Sequence, residues 1–215
     1  MRKTRCFRSN LAIENQNKKG HASFFDLFCF LLAYNACALY NFPMRKNEIP
    51  SAYYECSRDI DPNMLARHGY KLILFDLDNT LDPYAVKEPT EEAKAMKERF
   101  VSTSLRLMIA SNNKGKRVGH YADLLGIEYR CWMLKPFAFR LRKLIKKLGY
   151  KKEEVVLIGD QIQTDVKAGN RAGITTILVE PLDPFIEPPW TRWNRRFDKP
   201  KRAKLKEQGL LKPLE

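Results

Sequence analysis

The sequence predicts an α/β fold, an open and doubly wound parallel sheet of about five strands with helices on both faces. Three observations predict it. From Lys71 onward, short apolar runs alternate with helix-length segments, the pattern of parallel βαβ units. Glycines stand where the helical segments must stop, at Gly126, Gly149 and Gly173. Polar residues that do not suit a core follow the apolar runs directly, and in such a sheet ligands sit outside the carboxyl ends of the strands.

Leu72–Phe75 is a short apolar run, so a strand is expected over 71–76. A loop with Pro83 and Pro89 follows. Thr90 then caps a helix over about 90–101, with Glu91 and Glu92 suited to its positive N-terminal end. Leu105–Ala110 is a second strand, and Ser111-Asn112-Asn113 opens a helix to about Leu125. Glu128–Trp132 is a weaker third strand, and Lys135-Pro136 leads into a helix over 137–148. Glu154–Ile158 is the fourth strand, Thr164–Ala172 a helix, and Thr175–Val179 the fifth strand.

The flanks differ from this body. The chain has 215 residues, 44% hydrophobic and 30% charged, which suits one soluble globular domain with extensions. Its net charge is +14, of which residues 1–20 carry +5 and residues 190–215 carry +6. Arg140–Lys152 alone adds +7, so the rest is slightly acidic. Basicity placed this way suggests an anionic partner, a membrane or a nucleic acid. Five scattered cysteines without a CxxC pair argue for reduced thiols in a cytosolic setting and against a zinc site.

Residues 1–43 form an extension with three open readings. Ser23–Ala33 is strongly apolar and follows a basic stretch, as in a membrane or targeting segment. Asp26, Asn35 and Asn41 interrupt the run, which also fits a buried or interfacial helix. Met44 opens a fresh segment and is an alternative start. Residues 44–70 read as an irregular lead-in with short helical turns, 71–182 as the core, and 183–215 as a basic aromatic tail.

The strand ends carry the chemistry. Asp76 and Asp78 stand two apart after the first strand, and unpaired buried charge is costly, so such a pair usually binds a metal or reacts. Asp76 can attack phosphorus as a carboxylate, and Asp78 can protonate the leaving oxygen. Ser111, at a helix start, can bond a phosphate oxygen. Lys135 supplies a fixed positive charge. Asp160, with Asp165, completes a hard oxygen site for Mg²⁺ beside Asp76. Taken singly, each has an ordinary structural reading as a cap, a turn former or a surface charge. Four together on successive strand ends do not.

These residues also carry a resemblance. Asp76-Leu77-Asp78-Asn79-Thr80-Leu81, Ser111 after Ala110, Lys135-Pro136, and Gly159-Asp160 through Thr164-Asp165 resemble, in order, the four motifs of the haloacid dehalogenase (HAD) phosphatase superfamily over about residues 48–182. With Asn112 and Asn113 the pattern looks like subfamily IIIA, the YqeG-type group, which is similar to phosphatidylglycerophosphate phosphatases. The resemblance implies a Rossmann-like HAD fold, Mg²⁺ dependence and an aspartyl-phosphate intermediate. It casts Asp76 as nucleophile and Asp78 as general acid/base with its backbone carbonyl on Mg²⁺. It gives Ser111 and Lys135 the phosphoryl group, Asp160 the metal, and Thr80, Asn112 and Asp165 supporting places.

Thirty-four residues separate Asp76 from Ser111 and twenty-three separate Ser111 from Lys135, which leaves no space for an inserted cap domain. An uncapped site suits a phosphate presented on something large. Trp190, Trp193 and Phe197 set among Arg192, Arg195 and Arg196 favour a bilayer interface, though aromatics also stack on single-stranded bases. The expectation is therefore a phosphatase peripheral on an anionic phospholipid membrane, cytoplasmic, with phosphatidylglycerophosphate as substrate. A soluble nucleotide, sugar phosphate or phosphoprotein is the alternative substrate, and an RNA- or ribosome-binding scaffold the alternative role.

Overall fold

The computed structural model of the protein describes residues 44–214, so the readings given for residues 1–43 lie outside the described residues. Six parallel strands form one sheet: β1 (Ala52–Tyr54), β2 (Leu72–Phe75), β3 (Arg106–Ala110), β4 (Glu128–Arg130), β5 (Val155–Gly159) and β6 (Thr175–Val179), in the spatial order β1-β6-β5-β2-β3-β4. The sheet thus has one strand more than the sequence suggests. The additional strand is β1, in a segment expected to be irregular, and it pairs in register with β6, Ala52 opposite Ile177.

The helices are α1 (Pro62–Arg67), α2 (Glu91–Val101), α3 (Gly115–Leu125), α4 (Phe139–Leu148), α5 (Lys167–Ala172) and α6 (Pro189–Glu207). Successive side chains of a strand point to opposite faces, and both faces of β2 are covered. Ile73 and Phe75 join one core with Phe100 of α2 and Val118 and Tyr121 of α3. Leu72 and Leu74 join another with Leu141, Leu144 and Ile145 of α4. Phe75 meets Phe100 edge-on at 5.4 Å between ring centroids; fully burying one such side chain is worth about 1.5–3 kcal/mol.

Local chemistry sets the helix ends. The Thr90 hydroxyl accepts a hydrogen bond from the Ala93 N–H and caps α2. Gly126 closes α3 with φ +70°, in the left-handed region where a Cβ is penalised. Helix α3 starts later than expected, at Gly115 with Lys114 as its N-cap. Ser111 therefore lies in a loop and not at the helix start, because Asn112 and Asn113 are spent on side-chain bonds described below.

A larger correction concerns residues 183–215. Most of this stretch is α6, with Arg195, Asp198 and Leu205 buried. Leu205 packs with Ile162, Val166 and Leu178 in a third apolar cluster. The Asp198 carboxylate accepts from the backbone N–H groups of Ile162 and Gln163, both at 3.1 Å, and so caps a π-helical turn (Ile162–Val166) that leads into α5. Among the described residues, no element is inserted between β2 and α2, and only α3 separates β3 from β4.

Candidate active site

Chain order reverses direction across the sheet between β2 and β5, which are neighbours. The crevice at their carboxyl ends is where this topology places a ligand. Asp76 leaves β2 there, its N–H donating to the Ile158 carbonyl at 2.9 Å, and Asp160 leaves β5 beside it.

Lys135 is the hub. Its ammonium lies 2.8 Å from Asp76 Oδ1 and 2.7 Å from Asp165 Oδ1, and all three side chains are buried. Asn112 fixes the lysine backbone from both sides, its Nδ2 donating to the Lys135 carbonyl at 2.8 Å and its Oδ1 accepting from the Lys135 N–H at 2.7 Å. Trp132 and Leu134, just before it, have φ of +54° and +55°. Bulky residues rarely adopt that region, so the loop carries backbone strain where it aims the lysine. Ser111 is buried nearby, its Oγ accepting from the Asn113 N–H at 3.1 Å.

Asp78 faces a different way. Its carboxylate accepts from Arg117 Nη2 at 2.6 Å and from Asn113 Nδ2 at 3.1 Å. It is not among the converging carboxylates. Thr80 is buried and donates a long bond of 3.4 Å to Asp160 Oδ1.

Three carboxylates converge: oxygens of Asp76, Asp160 and Asp165 lie within 4.8 Å of one another, all buried. Hard oxygen donors at this spacing fit a divalent cation such as Mg²⁺. Three cations face these groups: Lys135 pairs with Asp76 and Asp165, Arg195 pairs with Asp160 and Glu187, and Arg202 donates to the Asp160 carbonyl. Burial pushes the Asp76 carboxyl up to about 8, with Lys135 opposing the rise and the neighbouring aspartates adding to it. Burial likewise pushes Asp160 up to about 6, opposed by Arg195. At Lys135, burial disfavours the ammonium, but Asp165 and Asp76 outweigh it and hold the group protonated.

Several site residues were not singled out from sequence as parts of this site. Arg195 of α6 donates to the Asp160 carboxylate and, at 3.1 Å, to its backbone carbonyl. Glu187 accepts from Arg195 Nε at 3.1 Å and from Asn79 Nδ2 at 2.6 Å. Asn79 has φ +63°, a conformation asparagine tolerates, and its Oδ1 accepts from the Asp183 N–H. Asp82 gathers the Thr90 hydroxyl at 2.6 Å and the Tyr121 hydroxyl at 2.7 Å, bracing the loop after β2. The available signals were Pro189 at a helix start and the 195, 198, 202 spacing along one face.

The site opens into a cleft of about 460 Å³, lined by Asp76, Asp78, Ser111 and Lys135 at its floor and by Trp132 and Trp190 at its walls. The floor thus sets three buried carboxylates beside a buried ammonium and the Ser111 hydroxyl, a set that can hold an anionic ligand next to a hard cation. Comparison with known proteins agrees. Residues 133–181 match the HAD-hydrolase-like family model. The probable phosphatase YqeG of Bacillus subtilis is 35% identical over 169 residues, covering 77% of this chain and 96% of that protein. The chloroplastic/mitochondrial phosphatidylglycerophosphate phosphatase 1 of Arabidopsis thaliana is 30% identical over 164 residues, 72% of this chain and 47% of that protein. The chloroplastic phosphatidylglycerophosphate phosphatase 1 of Chlamydomonas reinhardtii is 28% identical over 140 residues, 61% of this chain and 52% of that protein. The chain thus spans about half the length of the plant and algal relatives. It belongs to the HAD-like hydrolase family, among the YqeG-type phosphatases.

Proposed function

We propose that this chain is a Mg²⁺-dependent phosphomonoesterase acting on a phosphate carried by a membrane lipid, most specifically removing the terminal phosphate of phosphatidylglycerophosphate to give phosphatidylglycerol. The observation that carries the reading is the open cleft over buried Asp76 and Lys135, whose walls bear Trp132 and Trp190 at 47% and 68% exposure. A small soluble ester gains little from such a mouth, whereas a headgroup reaching down from an interface would fit it. Names carried by the plant and algal relatives point to the same substrate.

In this reading an Asp76 carboxylate oxygen attacks the phosphorus, and the bond to the glycerol oxygen breaks. Asp78, once it has taken up a proton and exchanged its Arg117 contact for the substrate, gives that oxygen its proton, so the alcohol leaves neutral and the phosphoryl group stays on Asp76. Asp78 then takes a proton from water, which attacks the acyl phosphate and releases inorganic phosphate. Lys135 and Ser111 hold the phosphoryl oxygens, and phosphoryl transfer depends mainly on such positioning and charge stabilisation. Asp76 and Asp160, with Asp165 in support, would hold Mg²⁺, which supplies further charge neutralisation at the phosphoryl oxygens.

The test is a substrate panel, phosphatidylglycerophosphate in mixed micelles against soluble nucleotides, sugar phosphates and a phosphopeptide, each with Mg²⁺ and with chelator. A kcat/KM for the lipid well above every soluble ester, lost with chelator, is expected. Equal rates on small soluble esters would assign the soluble substrate instead.

A further inference from the structure

The chain contains three tryptophans, and all three stand exposed on the two segments that wall the cleft. Trp132 lies in the loop before α4, and Trp190 and Trp193 lie in the first turn of α6 and just beyond it. Tryptophan is usually well buried, and contiguous exposed apolar surface marks an interaction site. Each segment extends the apolar surface further. The first adds Phe137 and Phe139, and the second adds Phe185, which is 88% exposed, and Ile186.

Cations are interleaved with these side chains. Arg140 lies 5.9 Å from the Phe139 ring centroid and donates to the Trp132 carbonyl. Arg196 lies 5.5 Å from the Trp193 centroid. Arg192 and Lys199 are exposed on the same helix, and Lys114 lines the cleft. Residues 131–152 contain no Asp or Glu. The three acids near the second segment are engaged, Glu187 with Arg195 and Asn79, Asp183 with the Phe185 N–H, and Asp198 with the Ile162 and Gln163 N–H groups.

We propose that these two segments form one docking surface for an anionic lipid bilayer, which brings the cleft mouth onto the membrane plane. The proposal rests on the reading of the cleft as a lipid phosphatase site and names the partner surface of that site. Tryptophan and arginine together are the composition of a membrane interface, aromatic rings at headgroup level and cations on anionic lipid. Exposed Leu134 and Ile186 favour a bilayer over single-stranded RNA, because aliphatic side chains insert among acyl chains but give a base nothing to stack on. No helix among the described residues is long and apolar enough to cross a membrane.

The three tryptophans make the surface its own reporter. With full-chain protein and vesicles enriched in phosphatidylglycerol, tryptophan emission should shift to the blue and be quenched by brominated acyl chains. Neutral phosphatidylcholine vesicles should give a much smaller response. The double variant Phe137→Ser/Phe185→Ser touches two exposed side chains outside the cleft lining. It should lower partitioning at least about tenfold, the scale of losing one buried aromatic, while kcat/KM on a soluble aryl phosphate stays unchanged. Vesicle binding without a tryptophan response, or partitioning unaltered in the double variant, overturns the proposal, as would a tryptophan response to an RNA oligonucleotide and none to vesicles. If docking behaves as expected but phosphatidylglycerophosphate in micelles is not hydrolysed, the surface stands and the substrate reading alone falls.

Discussion

Arg195 grips Asp160 twice, donating to its carboxylate and to its backbone carbonyl. The C-terminal helix thereby reaches the strand end that bears a candidate metal ligand. The same guanidinium holds Glu187, which in turn holds Asn79 in the loop that carries Asp76 and Asp78. Removing one partner from a buried ion pair leaves the other charge uncompensated, at a cost of about 3–5 kcal/mol. Arg195→Ala should therefore lower stability by about that much and reduce activity. Arg195→Lys should recover part of the stability but not the paired bonds, because an ammonium has no planar fork. Denaturant titration of both variants checks this. An unchanged midpoint in Arg195→Ala would remove α6 from the site's architecture.

Asp76 can be tested by a neutral isostere. Asp76→Asn removes the proposed nucleophile and should cut turnover by roughly 10³-fold or more, the scale on which loss of a nucleophile shows. Lys135 keeps Asp165 as partner at 2.7 Å, so the fold survives. Burial already disfavours the Asp76 carboxylate and pushes its pKa up to about 8. In metal-free protein at pH 8 the variant should thus melt no lower than the parent. Turnover that persists in Asp76→Asn would sink the assignment.

The raised carboxyl values fix a pH dependence with a definite sign. Asp76, at about 8, and Asp160, at about 6, bind protons more tightly folded than unfolded. Between the ordinary carboxylate range near pH 4 and pH 8 the folded state holds more protons, so their contribution to stability falls as pH rises. Lys135 and Arg195, also raised, act only in the alkaline range. A cation that binds the ionised carboxylates opposes the loss. Metal-free protein should lose melting temperature from pH 5 to pH 8 relative to protein with Mg²⁺, and the gain on adding Mg²⁺ should be larger at pH 8. A gain that is equal at both pH values, or larger at pH 5, would show that the cation does not sit on these groups.

The parts of the fold that sequence reading anticipates are those whose signals are local. Strands β2, β3, β5 and β6 are aliphatic runs, and Thr90, Gly126, Gly149 and Gly173 mark helix ends by their own chemistry. Strand β1 is hidden because it has three residues and is defined by pairing with a strand more than a hundred residues later. Helix α6 is hidden because it buries Arg195 and Asp198 while its tryptophans stay exposed, so its apolar face is not its packed face, and because Pro200 inside it reads as a stop. The same burial of polar groups explains the site. Asp76, Lys135 and Asp160 are legible because each follows a strand, whereas Arg195 reaches Asp160 from 35 residues away through an element that reads as solvated.

A last prediction turns on space at the end of β5. Gly159 has an ordinary negative φ, so backbone freedom does not explain it. Asp165 does: a Cβ at residue 159 would lie 2.4 Å from Asp165 Cγ. Asp165 cannot retreat freely, because its Oδ2 accepts from the Gln161 N–H at 3.1 Å and the Thr164 hydroxyl at 3.2 Å, while its Oδ1 faces Lys135. Gly159→Ala should therefore displace Asp165 and, through it, Lys135. Overpacking of this kind costs about 1–3 kcal/mol, and kcat should fall with it. Gly126→Ala supplies the contrast. No atom lies within 4 Å of a Cβ there, but φ is +70°, so the cost is about 1–2 kcal/mol of backbone strain with kcat unchanged. Comparable stability losses with kcat reduced only in Gly159→Ala are expected. Parental kcat in Gly159→Ala would mean that Asp165 does not hold Lys135 in place for the reaction.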